Sequence, residues 1–209
     1  TCVMAGEVPE GFIEIQPMEV VAKDKRAYAE AFKVQYDQQD PVRGRPIAQK
    51  HGKKWLLQNA PDMPLSQAEL DAVYALPYMR AWHPMYDQAG GIPAIEEVKF
   101  SIASVRGCFG ACNFCALTFH QGRIVTSRSK ESILSEGRIL TKQPGFKGYI
   151  HDVGGPTANF RRPACDRQLK VGACVHRQCL FPKPCPNLVA DHREYIDILR
   201  SLRALPGVK

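Results

Sequence analysis

The chain of 209 residues is long enough for one large domain or a domain with an extension, and its 44% hydrophobic and 23% charged residues are ordinary for a globular protein. No apolar run approaches the roughly 18 residues that a membrane span requires, and the first residues lack a signal-peptide pattern, so a cytoplasmic protein without a membrane partner is expected. The net charge of +7 is compatible with a nucleic-acid partner. Six basic residues against one acid, however, lie at 161–185 around four cysteines, where a metal site or a solvated face explains the charge better.

The first region, residues 1–95, is predicted to be an N-terminal extension and linker that packs on the rest of the chain. Residues 11–15 are typical of a strand, and Asp24 can cap a helix that runs to about Gln38. Helical spacing places four side chains on the inward face of this helix: Tyr28, Ala31, Phe32 and Tyr36.

Proline and glycine punctuate the remainder of this region. Residues 40–54 contain four of them and are therefore predicted to be loop. Ser66 and Glu69 have the spacing of a capping box at the start of a short helix, which Pro77 ends. Residues 77–95 are rich in proline, glycine and aromatic side chains, which predicts a packed linker.

The second region, residues 96–209, alternates strand and helix patterns. The predicted elements are a strand at 98–105, a helix at about 129–142 capped by Ser127 or Ser129, a strand at 148–153 that ends in Gly154-Gly155-Pro156, and a helix that starts at Asp191 with Glu194 completing a capping box. A cysteine-rich insertion at 160–188 precedes the last helix.

Strand, loop and helix occur twice in this order, which predicts two βα units of a parallel α/β fold. In such folds the loops at the carboxyl ends of the strands carry the chemistry. Two parallel strands are few for a stable sheet. We therefore expect the chain to be a piece of a larger protein, completed by the remainder of the parent chain, or to be completed by a partner.

Three cysteines follow the first strand of this region in the pattern Cys-x3-Cys-x2-Cys. These residues, Cys108, Cys112 and Cys115, are called the triad below. Three thiolates can bind three irons of a 4Fe–4S cluster, whereas an all-cysteine cluster needs four ligands. The remaining iron would keep an open coordination position, which is typical of catalytic metal sites. The alternative is a structural zinc site with His120 as a fourth ligand.

A second cysteine group consists of Cys165, Cys174, Cys179 and Cys185. Four thiolates could close a tetrahedral zinc site or bind a second 4Fe–4S cluster, and His176 could replace one of them. The spacing matches no common metal-site template. The alternative is that some of these cysteines are ordinary buried or unligated thiols.

Four stretches of the second region together resemble a known family. They are Ser104-Val-Arg-Gly-Cys-Phe-Gly-Ala-Cys-Asn-Phe-Cys115, Ser127-Arg-Ser-Lys-Glu-Ser132, Asp152-Val-Gly-Gly-Pro-Thr-Ala158 and Cys185-Pro-Asn-Leu188. The sequence resembles the radical S-adenosylmethionine (SAM) enzymes and, more narrowly, their YgiQ-like branch. The resemblance extends over nearly the whole chain.

The resemblance implies a partial radical SAM (β/α) barrel, of which this chain would supply about two units, and an iron–sulfur enzyme of unknown substrate. The triad would bind the 4Fe–4S cluster, and the amino and carboxylate groups of SAM would chelate the fourth iron. Reduction would cleave SAM into methionine and a 5′-deoxyadenosyl radical, with the protein orienting the cofactor.

The resemblance also implies roles for residues near the triad. Phe114 would pack near the adenine of SAM. Gly154 and Gly155 match a position where the superfamily usually has Gly-Gly-Glu, whose backbone carbonyls contact the SAM amino group. Pro156 stands in place of the acid, so only the backbone contact is implied. Most of the substrate pocket would lie beyond Lys209, and this chain alone is expected to be inactive.

A second class of protein also fits these patterns. It is a binding module stabilised by zinc at one or both cysteine groups, with nucleic acid as its partner. Iron in an anaerobically purified sample would distinguish the iron–sulfur enzyme from this zinc-stabilised module.

Overall fold

A computed structural model describes residues 2–155 and 160–209. Its strands are β1 (Cys2–Ala5), β2 (Ile13–Ile15), β3 (Ile47–His51), β4 (Lys54–Gln58), β5 (Ser101–Ala103), β6 (Val105–Arg106), β7 (Thr126–Ser127) and β8 (Asp152–Gly154). Its α-helices are α1 (Met18–Val21), α2 (Lys25–Asp37), α3 (Gln67–Tyr74), α4 (Ile95–Val98), α5 (Leu117–Gln121), α6 (Lys130–Leu140), α7 (Gln168–Val171) and α8 (Arg193–Arg203), and a 3-10 helix spans Pro84–Ala89.

The chain divides into two compact units, each built from three segments. The first unit contains residues 1–64, 109–124 and 164–188, and the second contains residues 65–108, 125–163 and 189–209. The fold is therefore mixed α/β with interleaved segments. The sequence boundary between residues 95 and 96 stays a prediction.

The first unit is built on a four-stranded sheet with the strand order β1-β4-β3-β2. The β1–β4 and β3–β4 pairs are antiparallel, whereas β2 and β3 are parallel. Ile15 and Ile47 on this sheet pack against Ala31 of α2 and form the core of the unit. The predicted cap of α2 is present, because the Asp24 carboxylate accepts a hydrogen bond from the backbone N–H of Arg26 at 2.8 Å.

The prediction of a loop at residues 40–54 is wrong for its second half, which contains β3 and the start of β4. Gly52, which favoured a loop, has a φ of +59° in the two-residue turn of a hairpin that pairs His51 with Lys54. Ile47 and Ala48 are buried at 4% and 0% exposure, so burial stabilises the strand that follows the last proline.

The predicted inward face of α2 is only partly correct. Tyr28 is 59% exposed and Phe32 is 44% exposed, because the helix packs on the sheet through its small residues, Ala27 and Ala31. The aromatic side chains of α2 serve a different contact, which is described with the triad below.

The core of the second unit is formed by the parallel pair β5–β8 and by α6 and α8. Its buried side chains are Phe100, Ile102, Ile133, Leu140, Val153, Ile198 and Leu202. Gly137 lets the two helices approach closely, since a Cβ there would lie 2.7 Å from the Leu202 side chain. The predicted helix at 129–142 is confirmed as α6, with Ser129 as its cap through a 3.1 Å hydrogen bond from the N–H of Ser132.

The parallel pairing of β5 and β8 agrees with the predicted βα order, but both strands are shorter than predicted. Val98 belongs to α4, and Ser104 separates β5 from β6. The β6 strand pairs with β7 in an antiparallel ladder. One parallel pair does not establish a barrel, so the partial barrel stays a prediction.

The predicted capping box at the start of α8 is wrong. Asp191 accepts the backbone N–H of Arg193 at 3.0 Å, and the Arg193 side chain lowers the pKa of Asp191 from its ordinary value. The Glu194 carboxylate instead accepts hydrogen bonds from Arg161 at 2.9 Å and Arg162 at 3.4 Å. Glu194 therefore forms an ion pair with Arg161, distant in sequence, instead of capping the backbone at the start of α8.

One hydrogen bond joins α8 to β8 and gives a testable contribution to stability. The Tyr195 hydroxyl donates to the carbonyl of Val153 at 2.6 Å. Replacing Tyr195 by phenylalanine is expected to lower the free energy of unfolding by about 1 kcal/mol. Urea denaturation at pH 7 measures this loss, with Tyr149→Phe at an exposed tyrosine as the matched control.

The contribution of Tyr195 should also depend on pH. Burial, followed by the charge of Asp152, raises the pKa of Tyr195 above its ordinary value. The unfolded chain ionises first, so the contribution is complete below about pH 10 and is lost as the pH rises through the folded pKa. The difference in the free energy of unfolding between wild type and Tyr195→Phe should therefore become smaller at alkaline pH. A difference in the free energy of unfolding that stays constant as the pH rises above about 10 would contradict the assigned hydrogen bond.

Candidate metal centres

The triad spans the division between the two units. Cys108 follows β6 at the end of a segment of the second unit, and Cys112 and Cys115 lie in the first unit just before α5. Gly107 and Ala111 have left-handed φ values of +85° and +50°, so the backbone turns both before Cys108 and before Cys112. Cys108 is buried, Cys112 is exposed and Cys115 is half-buried.

In the second unit, the predicted SAM-binding turn lies beside the strand that leads to the triad. The backbone N–H of Ser104 donates to the carbonyl of Gly154 at 2.7 Å. A Cβ on Gly155 would collide with a methyl group of Val105, so only glycine fits this packing. Cys108 follows Val105 by three residues. Pro156, which completes the predicted turn, lies outside the described residues.

In the first unit, the segment that carries Cys112 and Cys115 is held by contacts on both sides. The N–H of Cys115 donates to the carbonyl of Cys112 at 3.0 Å, which closes a turn between them. Phe119 lies with its ring centroid 5.4 Å from that of Phe32 and 5.7 Å from that of Tyr36, so the aromatic residues of α2 hold α5.

Phe114, between the last two cysteines of the triad, does not pack against other aromatic rings of the described residues in this way. It is 92% exposed, so the side chain is not part of a core and remains accessible to a ligand. The Gln178 amide donates to the carbonyl of Ala111 at 3.1 Å, which joins the start of this segment to the cysteine-rich insertion within the first unit.

The donor chemistry of the triad suits a 4Fe–4S cluster, since three thiols lie within eight residues on a turned backbone. The structure does not bring them into a metal-binding arrangement. Over residues 2–155 and 160–209, no group of three or more His, Cys, Asp and Glu side chains is placed to hold a metal ion. His120 is exposed in α5 and lines a separate cavity of about 380 Å³. The metal ligands therefore stay predictions.

The second cysteine group is brought together in the first unit. All four of its cysteines line one cavity of about 40 Å³. Burial raises the pKa of the Cys179 thiol, Arg123 opposes this shift, and the charges of the other three cysteines reinforce it. His176, the predicted substitute ligand, is exposed and is not among the residues that line the cavity.

A buried ionic network in the second unit was not predicted. Arg128 is 1% exposed, and its guanidinium donates to Glu136, to the carbonyl of Ala103 at 3.0 Å and to the carbonyl of Ser132 at 3.1 Å. The second carboxylate oxygen of Glu136 accepts from Arg80 at 2.6 Å. The available signal was Glu136 itself, because a carboxylate on the buried stripe of α6 requires a cationic partner.

A buried carboxylate in the first unit was also missed. Asp40 accepts hydrogen bonds from the backbone N–H groups of Val42 at 3.0 Å, Arg43 at 3.3 Å and Ala173 at 2.6 Å. These contacts fasten the cysteine-rich insertion to the loop after α2. Nothing local to Asp40 indicated a partner 133 residues away.

Comparisons with known proteins agree with the sequence patterns. A family model described as Radical SAM N-terminal matches residues 1–101. A UPF0313 protein of Clostridium perfringens strain ATCC 13124 is 58% identical over 212 residues, which cover 100% of this chain and 32% of the relative. A UPF0313 protein of Clostridium botulinum strain Okra is 58% identical over 198 residues, 95% of this chain and 31% of the relative.

The family match and these relatives support the identification of the chain as a fragment of a radical SAM superfamily protein. It spans about a third of the length of the curated relatives that it matches. No solved structure matches it. Within the described ranges, none of the helices combines the length and the apolar character of a membrane span.

Proposed function

We propose that this chain carries the cluster-binding part of a cytoplasmic radical SAM enzyme that acts on an unidentified substrate. The observation that carries the proposal is the Cys-x3-Cys-x2-Cys triad, which follows closely on the residues 1–101 that match the Radical SAM N-terminal family model. The triad would bind three irons of a 4Fe–4S cluster, and SAM would bind the fourth. When bound, the cluster and SAM together supply a 5′-deoxyadenosyl radical for hydrogen abstraction.

The surroundings of the triad support this assignment in each unit. The left-handed residues Gly107 and Ala111 turn the backbone on either side of Cys108, so the first two cysteines of the triad lie on a bent segment rather than on an extended one. The accessible ring of Phe114 offers an apolar face for an adenine, and aromatic faces stack well on bases.

Gly154 and Gly155 are proposed to position SAM through backbone groups. Gly155 packs against Val105 so closely that a side chain is excluded, and the chain runs from Val105 directly to Cys108. The backbone at this turn is therefore held close to the start of the cluster loop within the second unit. Backbone carbonyls so placed can accept hydrogen bonds from an ammonium group without any carboxylate.

The proposal is tested in the full-length protein, purified and reconstituted without oxygen. We expect a brown protein with about four irons attributable to the triad, and 5′-deoxyadenosine formed from SAM under dithionite. A colourless protein that takes up zinc but no iron would contradict the proposal and favour the zinc-stabilised nucleic-acid-binding module. Iron without 5′-deoxyadenosine would contradict the radical chemistry alone.

A further inference from the structure

We propose that the second cysteine group binds one zinc ion and so forms a structural metal centre in the first unit. The four cysteines lie in one stretch of 21 residues, and each contributes to the wall of the same small cavity. This inference does not rest on the function proposed for the triad, because the two groups share no ligand.

Hydrogen bonds hold the main chain at all four cysteines around this cavity. The carbonyl of Cys165 accepts the N–H of Gln168 at 3.0 Å, and the carbonyl of Cys179 accepts the N–H of Cys185 at 2.8 Å. The carbonyl of Cys174 accepts from the Arg123 guanidinium at 3.1 Å. Apart from the single turn of α7, this insertion has no helix or strand in the structure. A metal bridge across it would therefore stabilise the fold, as structural zinc does in small loop-rich modules.

Metal binding requires a local rearrangement of the thiols. Zinc-bound sulfurs lie at about 2.3 Å from the ion, hence roughly 3.8 Å from one another in a tetrahedron. The described side chains have not reached such an arrangement. The proposal therefore requires inward rotation of the cysteine side chains and shifts of the backbone that carries them, by which the four sulfurs around this one cavity would reach the ion.

The charge around the cavity suits a tetrathiolate zinc centre, which has a net charge of about −2. Arg167 and Arg177 line the cavity together with the cysteines. Arg123 lies within electrostatic reach of Cys179, and its Nε and Nη2 atoms are buried without a hydrogen-bond partner among the described residues. Buried, unsatisfied donors are costly, and acceptor thiolates would satisfy them.

The features of the site favour zinc over a second iron–sulfur cluster. Four cysteine ligands complete a tetrahedron around one ion and leave no open position, which is the pattern of structural zinc. One ion also requires less space between the four side chains than a cluster of four irons and four sulfurs, and little of the space that they line is open to water. His176 does not line it, so the ligand set is four thiolates.

The test is metal analysis of the full-length protein purified without oxygen. We expect one zinc per chain to be lost in the double variant Cys165→Ser/Cys185→Ser and retained in Cys2→Ser, which removes an exposed thiol outside both groups. The iron of the triad should be unchanged in the double variant. Equal zinc content in the parent and the double variant would overturn the proposal. Loss of about four irons from the double variant, instead of one zinc, would also overturn it and would identify the second group as the ligands of a 4Fe–4S cluster.

Two further measurements apply if the double variant does not fold. The parent protein loaded with Co²⁺ in place of zinc should show the thiolate-to-metal charge-transfer bands and strong visible absorption of a tetrahedral thiolate site. The variant Arg123→Met should bind zinc about 10- to 100-fold more weakly in competition with a chelator, since it removes a cation within electrostatic reach of Cys179 and the hydrogen bond to the carbonyl of Cys174. A parent protein whose cobalt spectrum lacks thiolate bands would overturn the proposal.

Binding of zinc at the second cysteine group can be tested separately from binding of iron at the triad. The variant Cys112→Ala should lose iron and keep its zinc. Loss of zinc in this triad variant would show that the two sites are not independent, which would contradict the proposed ligand set.

Discussion

Replacing Cys112 by alanine in the full-length protein is expected to abolish cluster loading and the reductive cleavage of SAM. Loss of even an outer-shell partner of a metal ligand costs roughly 10- to 100-fold, so loss of a ligand should lower 5′-deoxyadenosine formation by more than about 100-fold. Iron content, the visible spectrum and chromatography of the products measure this effect after anaerobic reconstitution.

Cys112 is the most informative member of the triad because its side chain is exposed, whereas Cys108 is buried. Truncating an exposed side chain should change the free energy of unfolding by less than about 0.5 kcal/mol, so the loss of iron cannot be attributed to unfolding. Cys2→Ala is the matched control, since Cys2 is also an exposed cysteine and lies in β1. Full iron content in Cys112→Ala would contradict the assignment of the triad as cluster ligands.

Local signals predicted several elements of the fold correctly. The helix α6 and its Ser129 cap, the capping box at Ser66 and the cap at Asp24 depend on residues a few positions apart, and the structure contains all three. The failures occurred where sequence-distant contacts compete with local ones. Residues 47–51 form a strand because β2 and β4 pair with them, and Glu194 leaves its predicted cap for Arg161.

The candidate sites show the same limit. Spacing alone grouped the second set of cysteines, and the structure places all four around one cavity. Spacing could not predict that the chain passes from the second unit to the first after Cys108, because the units are defined by contacts among distant segments. It also could not predict the partners of Arg128, since Ala103 lies 25 residues before it and Arg80 reaches the same carboxylate.

The second large effect concerns this buried network. Arg128 joins Ala103 at the end of β5 to Ser132 and Glu136 on α6, and its guanidinium stacks on Tyr74 with a distance of 4.1 Å to the ring centroid. The planar guanidinium reaches these groups simultaneously, which a lysine ammonium cannot do. The network therefore fixes α6 on the sheet through charge-assisted hydrogen bonds rather than through apolar contacts alone.

Replacing Arg128 by methionine is expected to lower the free energy of unfolding by about 3 kcal/mol, at the lower end of the cost of breaking a buried ion pair. The cost is large because Glu136 stays buried, and it is limited because Arg80 still pairs with that carboxylate at 2.6 Å. Urea denaturation measures the loss, with Arg138→Met at an exposed position of the same helix as the matched control. The free energy of unfolding of Arg128→Lys should lie between those of wild type and Arg128→Met, since lysine keeps the charge but lacks the planar set of guanidinium donors. Equal stability of Arg128→Met and Arg138→Met would show that the network contributes no net stability, as happens when the desolvation of buried charges offsets their attraction.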